Sequence, residues 1–358
     1  MAIPNDIASL HDYERHAQAR LSEQAWAYIY GASADEYTAR SNESVYSAIK
    51  LLNQTLTDVS RGHTQLDLLG HRLAHPIMLA PVAYQKLAHV DGEIASATAA
   101  AAQGALFTLS TLSSSRIEDV AQCAQGPRWF QLYFQDSREQ TLELIKKAEK
   151  SGFSAIVVTV DAPINGLRNR EQRAGFQLPD GVRAVNCQPE HQRQINPDES
   201  MIFQGLMRHA PSWKDIDWLR QHTTLPIILK GLINPRDVSI ALQHEIDGVV
   251  ISNHGGRTLD TLPSPIEVLP RIHELTKGEI PIIVDSGIRR GTDIFKAIAL
   301  GADAVMIGRP IMYALATAGA LGVAHTIRLL RDELELTMAL CGCETLSDIA
   351  PDCLWQPA

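Results

Sequence analysis

Eight short apolar runs, separated by segments of helical character, constrain this chain more than anything else in it. They are Pro76–Ala80, Ala105–Leu109, Trp129–Tyr133, Ala155–Val160, Pro226–Lys230, Gly248–Ile251, Pro281–Val284 and Ala304–Ile307. Most are rich in Val, Ile and Leu without strict alternation, the pattern of parallel strands covered on both faces. Between them, Glu93–Ala102 is Ala-rich, Arg138–Lys150 is amphipathic and Asp293–Leu300 carries apolar residues at helical spacing. Eight strand–helix repeats predict an α/β fold, a TIM (β/α)8 barrel. A doubly wound sheet is the alternative, but no strand is followed by G-x-G-x-x-G, so a dinucleotide site has no support.

Two segments stand outside the repeat. Residues 1–75 read as mainly helical, placed to cap the bottom of a barrel or to send residues over its top. Between strands four and five, Leu178–Pro211 holds Pro, Gln, Asn and charge with little periodicity, which predicts a mobile lid loop over the mouth. All 358 residues are read as one barrel domain, with 45% hydrophobic and 20% charged residues to build a substantial core.

Composition also removes function classes. A net charge of −9 argues against a nucleic-acid surface, which needs clustered Lys and Arg. No stretch reads as long and apolar enough to span a bilayer, and Asp332–Leu340 is apolar on one side only. Cys123, Cys187, Cys341, Cys343 and Cys353 form no CxxC pair and no spacing with His, so no zinc site, other metal or disulfide framework is expected. Met1–Arg20 lacks a secretory apolar core, and Trp355–Ala358 is not a peroxisomal address; the expectation is a cytoplasmic protein.

In a barrel of this kind the C-terminal strand ends carry the chemistry. Strand two ends at Ser110, strand three at Gln131 and Tyr133, strand four at Thr159 and Asp161, and strand five at Lys230. Strand six ends in Ser252, His254 and Arg257, where two glycines lie between a titratable imidazole and a fixed cation. A His can take a proton near neutral pH and an Arg can hold a carboxylate through two parallel hydrogen bonds, so the pair points to chemistry on a small organic acid. Strands seven and eight end in Asp285-Ser286-Gly287-Ile288-Arg289 and Gly308-Arg309-Pro310, a Gly and Arg combination suited to phosphate. With Ser, Gln, Thr and Lys available to a planar heterocycle, the set resembles a flavin mononucleotide site. Singly, each residue has a plainer reading: Asp161 as a turn cap before Pro163, Lys230 as a surface lysine, Arg289 and Arg309 as solvated helix-entry charges.

The block Ser252-Asn253-His254-Gly255-Gly256-Arg257-Thr258-Leu259-Asp260 resembles the signature of the FMN-dependent α-hydroxy acid oxidase and dehydrogenase family, which includes glycolate, lactate and mandelate oxidising enzymes. Ala80-Pro81-Val82-Ala83, Phe130-Gln131-Leu132-Tyr133, Thr159-Val160-Asp161, Leu229-Lys230-Gly231 and Gly308-Arg309-Pro310 match in order, and the likeness covers about Leu10 to Ile349. It implies FMN as cofactor, an L-2-hydroxy acid as substrate, oxygen as acceptor, hydrogen peroxide as product and a homotetramer. It implies His254 as base, Asp161 as its partner, and Arg257 and Arg168 as the carboxylate clamp, with Tyr28 and Tyr133 adding hydroxyls. Ser110, Gln131, Thr159, Lys230 and Ser252 would serve the flavin ring, with Lys230 stabilising negative charge and the backbone near Ala83 close to N5. Asp285, Gly287, Arg289, Gly308 and Arg309 would serve the ribityl chain and phosphate.

The chain departs from the pattern in places. Leu112 stands where glycolate oxidases carry Trp, and its pairing with Tyr84 resembles hydroxymandelate oxidases; the expected substrate is L-lactate, a longer aliphatic L-2-hydroxy acid or an L-mandelate. Thr258 replaces Gln, Asp285-Ser286-Gly287 replaces Asp-Gly-Gly, and Asn165 and Leu167 are unusual before Arg168. No haem domain and no membrane segment is read in the chain. The rival readings are a soluble dehydrogenase with a quinone or protein acceptor; more remotely, a Schiff-base aldolase using Lys230, which leaves His254, Arg257 and Arg168 unexplained; and, last, a non-enzymatic barrel serving as a binding module.

Overall fold

The structure is a computed structural model that describes residues 2–188 and 198–355. Eight parallel strands close a barrel: Ile77–Leu79 (β1), Phe107–Leu109 (β2), Arg128–Leu132 (β3), Ile156–Thr159 (β4), Ile227–Leu232 (β5), Gly248–Ile251 (β6), Ile282–Val284 (β7) and Ala304–Ile307 (β8). Closure comes from β8 beside β1, with Val305 opposite Ile77. Alternate residues on each strand have different surroundings. Met78, Trp129, Val157, Ile228, Val250 and Ile283 fill one buried cluster inside the barrel, while Leu79, Phe130, Val158, Leu229, Ile251 and Val284 join the larger core under the helices. Both faces are therefore buried, which is why the runs read as unbroken apolar sequence. The TIM barrel expectation holds, with strand ends shifted by a residue or two; Tyr133, for example, lies just beyond β3.

Residues before the barrel serve both of its ends. Helices Leu10–Arg20 (α1), Glu23–Tyr30 (α2) and Tyr37–Ser44 (α3) are joined by an antiparallel hairpin, Leu66–Leu68 with His71–Leu73, which the mainly helical reading did not contain. Leu68 and Leu73 from the hairpin pack into the interior barrel cluster. At the other end, Ser33 N–H donates to Gly256 O at 2.8 Å, and the Asp260 carboxylate accepts from Thr38 N–H at 2.8 Å.

Two expectations are corrected. The helix Arg309–Cys341 is, by length and composition, apolar enough to cross a membrane, but 78% of its most apolar window is buried within the protein. Its backbone breaks at Ala318 and Gly319, and its apolar faces pack against α1 and the helix Gly92–Gln103. The segment Asp332–Leu340 is the last part of this helix. The lid segment Leu178–Pro211 also has structure: Met201–Leu206 forms a π-helical turn and Met207–His209 a 3₁₀ turn. Val185 N–H donates to Ser113 O at 3.1 Å, and Asn186 bonds Ser115 O at 3.0 Å and Ile117 N–H at 3.1 Å. Residues 189–197, the middle of the expected lid, lie outside the described residues.

Candidate active site

Every residue expected at the site except Asp161 and Ser252 lines one open cavity at the C-terminal mouth of the barrel, about 1160 Å³ with its opening included. Asp161 and Ser252 stand directly behind its wall, in contact with His254. Room of this order accommodates a fused-ring cofactor and a small acid together.

The turn after β6 is built to present His254. His254, Gly255 and Gly256 have φ of 58°, 64° and 75°, three consecutive left-handed residues. His254 is held in this costly conformation by surrounding bonds. Asn253 Oδ1 accepts from Gly256 N–H at 3.2 Å, and Asn253 exchanges amide hydrogen bonds with Asn42 of α3 at 2.9 and 2.7 Å. Gly256 is required because a Cβ there would meet Ala39 N at 2.7 Å. Ser252 Oγ accepts from His254 N–H at 3.0 Å and from Lys230 Nζ at 2.9 Å, tying two of the expected residues together.

Behind the imidazole, His254 Nδ1 lies 3.0 Å from Asp161 Oδ1. Burial pushes the Asp161 carboxyl up, but the His254 charge and hydrogen bond, with Lys230, outweigh burial and hold it below the ordinary carboxylate range. Asp161 stays ionised, and its second oxygen is buried without a partner among the described residues. Lys230 is buried and paired with Asp285 at 2.7 Å. This ion pair engages the side-chain nitrogen that a Schiff-base aldolase needs as a free amine.

Two arginines face the same cavity. Arg257 Nη1 donates to Tyr28 O and Gly31 O, both at 2.7 Å, and its guanidinium lies 5.0 Å from the Tyr28 ring centroid. Tyr28 stacks on Phe176 with ring centroids 4.6 Å apart. Arg168 Nη1 and Arg257 Nη2 both donate to Glu171. Burial pushes the phenols of Tyr28 and Tyr133 upward, so both are neutral donors near neutral pH. Leu112 and Asn165 complete the wall nearby.

The opposite rim holds the glycine and arginine pairs. Arg289 bonds Glu43 at 2.5 Å and Ile288 O at 3.0 Å, while its buried Nε has no partner among the described residues. Arg309 has a structural task beside its expected one: it donates to Ile29 O at 3.3 Å and to Gly255 O and Gly31 O, each at 2.9 Å. It first staples the α2 end to the His254 turn, leaving two of its five N–H groups for an anion. Burial lowers it to about 10, and it remains charged. Gly287 is needed for packing as well as for a ligand: its φ is 85°, and a Cβ would meet Asn42 O at 1.9 Å.

The donor set fits FMN. Gln131 Oε1 accepts from Ser110 Oγ at 3.2 Å and Thr111 N–H at 3.1 Å, which leaves Nε2 as a buried donor without a protein acceptor among the described residues. That donor, Lys230 and Thr159 suit the carbonyl edge of a flavin ring, and the unpaired Arg289 Nε suits a phosphate. Sequence reasoning missed Glu171, Asn42 and Glu43. Glu171 carried a local signal, three residues after Arg168 and so at ion-pair spacing; Asn42 and Glu43 carried none.

A protein-family model described as FMN-dependent dehydrogenase matches residues 17–356. The chain is 45% identical over 349 residues to an L-lactate oxidase of Roseobacter sp. (strain GAI101), covering 97% of this chain and 94% of that protein. It is 40% identical over 348 residues to glycolate oxidase 1 of Zea mays, covering 96% and 94%. A crystal structure of mandelate oxidase with (S)-2-phenylpropionate superposes with a TM-score of 0.88 at 38% identity, covering 98% of each chain.

Proposed function

This chain belongs to the FMN-dependent dehydrogenase family, and from that premise we propose that it oxidises an L-2-hydroxy acid to the 2-oxo acid, with FMN as cofactor and oxygen as acceptor, releasing hydrogen peroxide. The observation that carries the reading is the convergence on one cavity of an Asp-backed histidine and two arginines.

FMN, when bound, supplies a two-electron acceptor that oxygen can restore. Ser110, Gln131, Thr159, Lys230 and Ser252 would hold its ring, with the backbone near Ala83 beside it. Asp285, Gly287, Arg289, Gly308 and the remaining donors of Arg309 would hold its ribityl phosphate. Arg168 and Arg257 bind the substrate carboxylate and orient the carbon bearing the hydroxyl. Tyr28 and Tyr133 offer neutral phenol donors beside them. Asp161 occupies His254 Nδ1, so Nε2 is the nitrogen that takes the substrate proton, and the ionised Asp161 stabilises the resulting imidazolium. Lys230 contributes a buried positive charge where negative charge gathers.

Leu112 at the cavity wall supports a substrate with an apolar substituent: L-lactate, a longer aliphatic L-2-hydroxy acid or an L-mandelate. The reading includes a homotetramer, supported by the family resemblance, and a cytoplasmic setting, supported by the cysteine spacing. Light scattering of the purified protein tests the first. The function is tested by titrating the yellow holoenzyme anaerobically with L- and D-2-hydroxy acids, followed by oxygen uptake and peroxide assay. Bleaching by L-acids with peroxide release is expected. No bleaching by any acid overturns the reading, and bleaching without oxygen uptake transfers it to a dehydrogenase with another acceptor.

A further inference from the structure

Glu171 lies between the guanidiniums of Arg168 and Arg257, two of the arginines that line the cavity. Its Oε1 accepts from Arg168 Nη1 at 3.1 Å and from Arg257 Nη2 at 3.2 Å. The arginines come from different parts of the chain, Arg168 from the loop after β4 and Arg257 from the turn after β6. All three side chains are largely out of water, with 15% exposure for Glu171 and 16% for each arginine. Two cations so close and so poorly hydrated repel one another, and long arginine side chains can move apart unless an anion joins them. Burial and then the neighbouring Arg257 charge hold the Arg168 guanidinium down at about 10, with Glu171 opposing them.

The carboxylate is itself held in place. It belongs to the short helix Asn169–Arg173, whose Arg170 grips Glu36 through two hydrogen bonds, at 2.8 and 2.5 Å, and lies over the Tyr30 ring. Both arginines keep donors that Glu171 does not use. Each arginine has five N–H groups. Arg257 spends two on backbone carbonyls and one on Glu171. Nε and one Nη2 hydrogen remain, a side-on pair matched to a carboxylate. Arg168 spends one on Glu171, and its buried Nε has no partner among the described residues.

We propose that Glu171 is the positioning residue of the carboxylate site, joining Arg168 and Arg257 into a single two-armed clamp and selecting which of their donors face the substrate. The proposal rests on the reading that these arginines take the substrate carboxylate. It assigns Glu171 no contact with the reacting atoms.

The test uses holoenzyme and two anions that need no turnover, pyruvate and benzoylformate, with binding measured by calorimetry. Glu171→Gln should weaken binding by about 10-fold or more, because a neutral amide can no longer join two cations. Glu171→Asp should recover part of the loss. The double variant Glu171→Gln with Arg168→Met should bind little worse than Arg168→Met alone, since the two residues act through one contact. With a bleaching substrate, Glu171→Gln should raise KM much more than it lowers the flavin reduction rate at saturation. Binding within about two-fold of wild type would overturn the proposal. Tighter binding would overturn it too, by showing that Glu171 competes with the substrate. A loss that follows lost FMN or lowered Tm, unrelieved by Glu171→Asp, would reduce Glu171 to an architectural role and also overturn it. If wild type binds neither anion, the clamp and this proposal fail together. If it binds them while no 2-hydroxy acid bleaches the flavin, the oxidase reading fails, and the binding results still decide the role of Glu171.

Discussion

His254 Nδ1 and Asp161 Oδ1 meet at 3.0 Å across 93 residues of sequence, and the contact decides which imidazole nitrogen faces the substrate. The approach is possible because residue 231 is glycine. Its φ is 108°, and a Cβ there would lie 2.4 Å from Asp161 Cγ.

Three substitutions report on this pair. His254→Ala should retain FMN yet lose about 10²- to 10⁴-fold in flavin reduction by substrate. Asp161→Asn should lose much of the same rate, because the amide leaves the imidazolium uncompensated. Gly231→Ala should move Asp161 and approach the Asp161→Asn rate. Stopped-flow reduction with FMN content measured in parallel checks all three. A His254→Ala rate within a few-fold of wild type would remove His254 from its role.

The two clamp arginines should separate in stability. Arg168→Met and Arg257→Met should each weaken binding of 2-hydroxy acids strongly, and Arg257→Lys should recover only part. Arg257→Met also strips the donor from Tyr28 O, while Gly31 O loses one of two donors and keeps Arg309 Nη2. A partly buried carbonyl left without a donor costs ~1–3 kcal/mol. Thermal melts should therefore show a larger fall in Tm for Arg257→Met than for Arg168→Met. Equal falls, or uncharged alcohols oxidised as well as their acids, would contradict the assignment.

Pocket size should set substrate preference. Leu112 leaves space that a Trp would fill, and each methylene buried there contributes ~0.8 kcal/mol. L-lactate, longer aliphatic L-2-hydroxy acids or L-mandelates should have higher kcat/KM than glycolate, and Leu112→Trp should shift preference toward glycolate. Glycolate as the best wild-type substrate, with no change in Leu112→Trp, would point instead to the segment Leu178–Pro211.

Acid stability should depend on a histidine at the barrel floor. His75 is fully buried; Nε2 faces Gln103 O at 3.1 Å and Nδ1 accepts from Ile77 N–H at 3.3 Å. Burial, then the Arg331 charge, lowers it from 6.5 to about 4. Between those values the unfolded chain holds a proton that the native state refuses, so stability is full above pH 6.5 and falls as pH drops toward 4. The gap is worth ~3 kcal/mol. Melts of wild type and His75→Gln across this range should show a shallower acid limb in the variant. Parallel curves would exclude His75 as the cause.

Much of the site was legible because strand ends are legible. Gln131, Thr159, Lys230 and Ser252 each sit at or beside the end of an apolar run, and closing the barrel brings those ends to one mouth. Arg309 shows the limit of that reasoning. Its position at the rim was correct, but three backbone carbonyls already claim it. Glu171 and Asn42 were missed because neither ends a strand; their importance lies in what they touch.

The sequence by itself determined the barrel, the order of its strands and the residue types at its mouth. Burial on both faces writes itself into a strand as an unbroken apolar run, and a local pattern of this kind needs no knowledge of partners. Tertiary structure alone decided that Asp161 backs His254, that Asn42 braces its turn and that Glu171 joins Arg168 to Arg257. Periodicity records how deeply a residue is buried but not beside which distant residue it lies. Those pairings form only when barrel closure and the folding of α2 and α3 over the mouth bring separate loops within hydrogen-bond distance.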